Sequence, residues 1–368
     1  MGVHERWGVS RVVNAHGTYT PLGVSRTPAP VAAAVADALQ EFFVIDQLAD
    51  RAGEALAAAT GADAGAVVHC TSAATTVAVA AAMAGSDPAR IAALPDVTGM
   101  PHTVVVPAGH AVDYGQSNLQ AIRLAGARVV LAGTEQRCDL ADLDAALAAP
   151  GVACLLLVSS RLVRPGEPVD LAGAVRAAHA RGVPAVVDAA AQFPRARELT
   201  ALGADAVLIS GQKYLASPTA GLVLGTREFV RAVRDQDRGI GRGMKPTKES
   251  LAGVLAALEA WRGEDWVAAE AAKAERFVRD ASALPGITAR PWPDPAGAPV
   301  TRAVLTLDDA PRVAEELAAG DPPVFVMTGG PGELVLELVS LTGDEIALIL
   351  DRLAISTRRS VRRTSDLR

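Results

Sequence analysis

At 368 residues, half of them apolar and with a net charge of −6, the chain is long enough for two packed domains. Its charge offers no general attraction for nucleic acid or an anionic membrane. The polar opening Met1 to Ser10 lacks a secretory signal pattern, no apolar run reaches the length of a membrane span, and Cys70, Cys138 and Cys154 are scattered without metal spacing. No metal site is expected, and reduced thiols point to a cytoplasmic protein.

Residues 1–30 form an irregular arm in which Asn14 to Gly23 concentrates turn formers and hydroxyls without periodicity. Such an arm packs as an ordered loop at a site or subunit contact. Pro28 to Ala59 is largely helical, with a new helix expected to begin near Ile45 and end at Thr60. Ala66 to Cys70 is a strand. Thr71-Ser72-Ala73-Ala74-Thr75-Thr76 then opens a helix of small residues. Its backbone amides can approach an anion, although the same residues serve equally as an ordinary N-cap. Thr103 to Val106 is a strand that leads to Gly109-His110, with the histidine in the following crossover. Helices over Leu119 to Ala125 and Leu140 to Ala149 alternate with strands over Arg128 to Leu131 and Val152 to Val158. Arg164 to Pro168 is a turn, and Leu171 to Ala180 a helix. The alternation predicts a parallel sheet covered on both faces.

Two apolar strands then end in charge. Pro184 to Asp188 ends in a carboxylate, and Ala206 to Ser210 leads through Gly211 and Gln212 to Lys213. The 25 residues from Asp188 to Lys213 leave room for a strand, a helix and a second strand. Adjacent parallel strands would aim both side chains into one crevice at the carboxyl edge. Taken singly, the lysine is a common surface residue and the aspartate a common helix cap. Together they supply what pyridoxal 5'-phosphate needs: an amine for its aldehyde and a carboxylate that keeps the pyridine nitrogen protonated. Ala220 to Gly225 is a further strand, expected to run antiparallel after so short a turn. Gly239 to Glu249 places Arg242, Lys245 and Lys248 among glycines, a loop suited to an anionic group. Ser250 to Trp261 is a helix. From about residue 265, a charged helix, strands over Thr301 to Leu307, Val324 to Thr328 and Glu333 to Leu338, and helices over Pro311 to Ala319 and Gly343 to Ile355 make a smaller unit. The expected division is 1–30 arm, 31–262 large domain, 263–356 small domain and 357–368 basic tail. The tail, with five arginines, is expected to be disordered.

Nearly the whole chain resembles the fold-type-I pyridoxal-phosphate enzymes, and within them the group of bacterial selenocysteine synthase and D-glucosaminate-6-phosphate ammonia-lyase. Val13 to Gly23, Thr71 to Ala74, Gly109-His110, Val187 to Gln192, Ser210 to Lys213 and Gly241 to Glu249 carry the likeness. It implies a large domain with a mainly parallel seven-stranded sheet and a smaller C-terminal α/β domain. It implies Lys213 as the Schiff-base lysine and proton shuttle, Asp188 at the pyridine nitrogen and His110 stacked on the ring. Ala190 would pack beneath the ring. Thr71, Ser72, Ala73 and Ser210 would hold the phosphate, and Thr20, Arg242 and Lys245 the substrate. Gln212 and His16 depart from the group's pattern. Acidic balance, and the lack of the selenium transferases' extra N-terminal tRNA-binding domain, disfavour a tRNA substrate. The expected enzyme is a lyase that removes an α-proton and eliminates a β-group from a small amino acid or amino-sugar acid. Aldolase, aminotransferase and β-replacement chemistry share the same constellation. A homodimer is implied as well.

Overall fold

The computed structural model describes residues 2–163 and 169–365, with side chains to residue 358. The expected turn at 164–168 lies outside the described residues. The chain divides into two compact units, one of residues 27–261 and one of residues 1–26 with 262–368.

The larger unit is built on seven strands: β1 (Ala64–Val68), β2 (Thr103–Pro107), β3 (Arg128–Ala132), β4 (Val152–Val158), β5 (Ala185–Asp188), β6 (Ala206–Ser210) and β7 (Gly221–Gly225). Their spatial order is β1-β7-β6-β5-β4-β2-β3. Only β7 runs antiparallel to its neighbours, as the short turn before it requires. All the other strands therefore end at one edge. Leu155, Leu157, Val187, Val207 and Ile209 are buried on one face, and Val104, Val106, Leu156 and Leu208 on the other, in separate apolar clusters. Runs of consecutive apolar residues are what a doubly covered sheet demands. Helices α1 (Ala29–Gln40), α2 (Ile45–Thr60), α3 (Thr71–Ala84), α4 (Arg227–Asp235) and α5 (Lys248–Ala260) belong to this unit. The stretch 239–249 is more ordered than the loop expected from its glycines. It forms a 3-10 turn over Ile240–Met244, and Thr247 then caps α5 through its side chain.

In the other unit, Met327–Thr328, Glu333–Leu336, Thr301–Thr306 and Thr288–Pro293 form an antiparallel sheet in that order. Helices Glu264–Ser282, Ala310–Ala318 and Gly343–Ser365 share its core, which includes Phe277, Leu305, Leu336, Ile349 and Leu353. Val13–Asn14 pairs in parallel with Val324–Phe325, so residues from the expected arm are part of this unit. That pairing also divides the single strand expected over 324–328 between two sheets. The last helix continues through Ser365, past Thr357 where a disordered tail was expected, because no glycine or proline interrupts residues 344–365. Arg302 is buried between Asp294 (2.9 Å) and Glu337 (2.7 Å). Gly17, at φ 87°, lies against the Glu337 carboxyl: a Cβ there would stand 2.5 Å from Cδ.

Candidate active site

The carboxyl edge of the parallel strands gathers the residues that the sequence singled out in the larger unit. Asp188 closes β5, and β6 beside it leads into the turn that carries Lys213. Backbone bonds lock the two strand ends together: Ala189 N–H donates to Leu208 O (2.8 Å), and Ser210 N–H to Ala190 O (3.0 Å). Burial pushes the Asp188 carboxyl above its ordinary range. The Lys213 ammonium is near enough to oppose that shift, as does the Ala190 amide, which donates to Oδ1 at 3.1 Å. The two groups therefore feel one another at a desolvated edge. Lys213 is half-buried and Ser210 buried. The chain has four lysines, Lys213, Lys245, Lys248 and Lys273. Lys248 is bound to the carbonyls of Leu39 and Glu41, and Lys273 to Glu270.

At the end of β1, α3 begins with no side-chain cap from Cys70 and no acidic residue in its first turn. The Thr71 hydroxyl oxygen is buried without a hydrogen-bond partner. An uncapped helix start with an orphaned hydroxyl suits an anion. Ser72 is half-buried and Ala73 buried in the same turn. Gly221, on β7, lies so close to Cys70 that a Cβ would stand 2.4 Å from its carbonyl oxygen. The chain before the cradle is thus packed against β7.

His110 ends a 3-10 turn after β2 and is only 2% exposed. Its Nδ1 accepts the Val158 N–H at 2.9 Å, which leaves the ring proton on Nε2. Burial lowers its pKa to about 4, so the ring is neutral. Asn118, also buried, donates to the His110 carbonyl at 3.0 Å. Sequence reasoning overlooked Asn118, and nothing in its local pattern marks it. It likewise gave no role to Gln192, whose side chain is 1% exposed with Oε1 unpartnered.

Arg242 and Lys245 are exposed on the turn that follows α4. His69 N–H donates to Met244 O at 2.7 Å and ties that turn to the end of β1. Both cations, with Arg234, oppose the upward shift that burial imposes on Asp237. Thr20 lies in the other unit, where it opens a 3-10 turn with Pro21 and Leu22, and His16 stacks on Tyr19 at 4.0 Å. Among the described residues no His, Cys, Asp and Glu cluster could hold a metal ion, and no helix is long and apolar enough to cross a membrane.

A family model for β-eliminating lyases matches residues 31–320. The chain belongs to the β-eliminating lyase family. This lyase is 34% identical to D-glucosaminate-6-phosphate ammonia lyase of Salmonella typhimurium, over 95% of this chain and 96% of that one. It is 35% identical to 5'-C-glycyluridine monooxygenase-decarboxylase of a Streptomyces species, over 88% and 83%. L-seryl-tRNA(Sec) selenium transferase of Solidesulfovibrio magneticus is 26% identical, over 94% and 81%. Among solved structures, a D-glucosaminate-6-phosphate ammonia-lyase superposes with a TM-score of 0.87 at 32% identity, covering 98% of this chain and 99% of that one. A serine palmitoyltransferase solved with its pyridoxal-phosphate internal aldimine shares the fold at a TM-score of 0.62 and 15% identity, covering 95% and 88%. The lyase thus has the fold-type-I architecture, and its family and structural neighbours depend on pyridoxal phosphate.

Proposed function

We propose that this lyase binds pyridoxal 5'-phosphate and acts as an ammonia-lyase on an amino-sugar acid, by α-proton removal and β-elimination. The observation that carries the proposal is the placement of Asp188 and of the turn bearing Lys213 at the ends of neighbouring parallel strands, near enough for the ammonium to oppose the upward pull of burial on the Asp188 carboxyl. The residues present fit the cofactor. The bare start of α3, with Thr71, Ser72, Ala73 and the orphaned hydroxyl, suits its phosphate, and buried Ser210 adds a donor. When bound, the cofactor's pyridine ring accepts the electron pair left at Cα. Lys213 would supply the amine that holds the aldehyde, and its Nζ would be the base that takes the α-proton. Asp188 would keep a proton on the ring nitrogen, and a cationic partner would relieve the cost of its burial. His110 would offer a flat, neutral ring face to the cofactor, and Ala190 would line its other side. Arg242 and Lys245 receive the anionic end of the substrate.

Likeness to the Salmonella enzyme, over almost the full length of both chains, favours a phosphorylated amino-sugar acid. The net charge of −6 speaks against a tRNA substrate. We infer a homo-oligomer as the working form and a cytoplasmic setting, consistent with three free cysteines. The test is incubation of the cofactor-loaded protein with D-glucosaminate-6-phosphate and a panel of amino acids, with ammonia, keto acid and carbon dioxide all quantified. Equal yields of ammonia and keto acid from the amino-sugar acid are expected, with none from Lys213→Ala. Release of carbon dioxide in place of keto acid would contradict this and point to decarboxylation.

A further inference from the structure

The N-terminal stretch that pairs with Val324–Phe325 also walls a cavity of about 330 Å³ within the smaller unit. Its lining includes His4, Arg11, Asn14, Ser25, Arg26 and Ser340, and no acidic side chain. In a chain of net charge −6, that is a local excess of cationic groups. Arg26 is anchored. Its Nη1 donates to Glu345 Oε2 at 2.7 Å and to Ser340 O at 3.3 Å, and its Nη2 donates to Glu345 Oε1. Glu345 is 3% exposed, and with Thr342 it forms the reciprocal cap that opens the helix Gly343–Ser365. Arg26 by itself therefore neutralises that carboxylate. Arg11 is in excess. Its Nη2 stands 3.9 Å from Glu345 Oε1, too far for a hydrogen bond, and its side chain has no other polar partner among the described residues. Among the same residues the His4 ring has none either.

The backbone that presents this wall is strained. Val24 is 5% exposed and sits at φ 66°, a region that a β-branched residue rarely enters. Its N–H donates to Tyr19 O at 3.1 Å, and the Ser25 N–H to Gly23 O at 2.8 Å, so the turn sets Ser25 and Arg26 in place. Asn14 is fixed as well: Nδ2 donates to Gly17 O at 2.8 Å, and Oδ1 accepts the His16 N–H at 3.0 Å. Strain of this kind costs about 1–3 kcal/mol and clusters where a ligand is held. A tie between the N-terminal stretch and the last helix needs Arg26 alone; Arg11 and His4 are left to meet something else. Guanidinium forks match the oxygens of a phosphate, and uncompensated positive charge favours a dianion. The cavity has room for roughly ten waters, enough for a phosphate and the carbon chain that it esterifies.

We propose that this cavity binds the phosphate group of a phosphate monoester. Arg11 and Arg26 hold its oxygens, and His4 and Ser25 complete the set of donors. The experiment is equilibrium dialysis of radiolabelled inorganic phosphate against the full chain loaded with pyridoxal phosphate. The protein carries Arg242→Gln and Lys245→Gln, which remove the cationic turn of the larger unit. One labelled phosphate per chain is expected, and adding Arg11→Gln should weaken it at least tenfold. The Arg11 side chain is 66% exposed, so the fold should survive, with circular dichroism as the control. His4→Gln should weaken binding in the same direction, and decides the matter if the arginine variant misfolds. The dialysis needs no turnover, so failure of the lyase assignment leaves it readable. Kinetics on D-glucosaminate-6-phosphate, with Arg11→Gln as the sole change, separate the two sources of the group. A KM raised tenfold or more assigns the cavity to the substrate's phosphate and rests on the lyase reading; an unchanged KM assigns it to a separate phosphate monoester. No phosphate bound in the dialysis, or an affinity that neither folded variant alters, overturns the proposal.

Discussion

A buried imidazole that faces a backbone N–H has one comfortable protonation state. His110 accepts from Val158 at Nδ1, so a second proton would bring two donors face to face inside the protein. Its pKa of about 4 against an ordinary 6.5 has a definite sign. Above pH 6.5 neither folded nor unfolded chain holds the proton, and the native state keeps its full stability. As the pH falls from 6.5 to 4, the unfolded chain takes up a proton that the folded one refuses. The loss is roughly 3 kcal/mol. Thermal unfolding of the cofactor-free protein between pH 7 and pH 4 should show this loss, and His110→Phe should remove that part of the slope. Equal slopes in the two proteins would mean that the histidine already titrates normally. The sequence displayed this histidine but not its tautomer, which depends on an amide 48 residues away. Asn118, fixed to the same residue by a side-chain bond, was invisible for the same reason.

At the level of elements, α2 rests on β1 through two glycines. A Cβ on Gly53 would stand 2.4 Å from the Gly65 carbonyl oxygen, and one on Gly65 would stand 2.7 Å from the Leu56 Cβ. Gly53→Ala improves helix propensity by about 1 kcal/mol. Overpacking against a backbone oxygen costs about 1–3 kcal/mol, and here the obstacle is no flexible side chain that could step aside. Urea unfolding should therefore give a lower midpoint for Gly53→Ala at unchanged slope; a higher midpoint would show that the helix can lift off the strand freely. The strands themselves were legible because doubly covered strands are written as continuous apolar runs, such as Val152 to Val158 and Ala206 to Ser210. Less legible were α4 and the strand Thr288–Pro293. The first alternates arginines with Phe229, Val230 and Val233, and the second carries two prolines on an edge. The pairing of Val13–Asn14 with Val324–Phe325 spans more than 300 residues, and no local pattern announces it.

On the scale of the whole molecule, the strand order brings distant segments to one edge. The ends of β1, β2, β5 and β6 deliver the α3 cradle, His110, Asp188 and Lys213 from four separate stretches of chain. Open α/β sheets place their ligands at that edge, which is why the chemistry could be anticipated from strand ends alone. With only four lysines in the chain, the amine that holds the cofactor can be identified directly. The decisive measurement is borohydride reduction of the pyridoxal-phosphate-loaded protein, followed by proteolysis and mass spectrometry of every lysine-bearing peptide. One pyridoxyl group per chain on Lys213, absent from Lys245, Lys248 and Lys273, is the predicted result; a label on any of those three with Lys213 unmodified would contradict it.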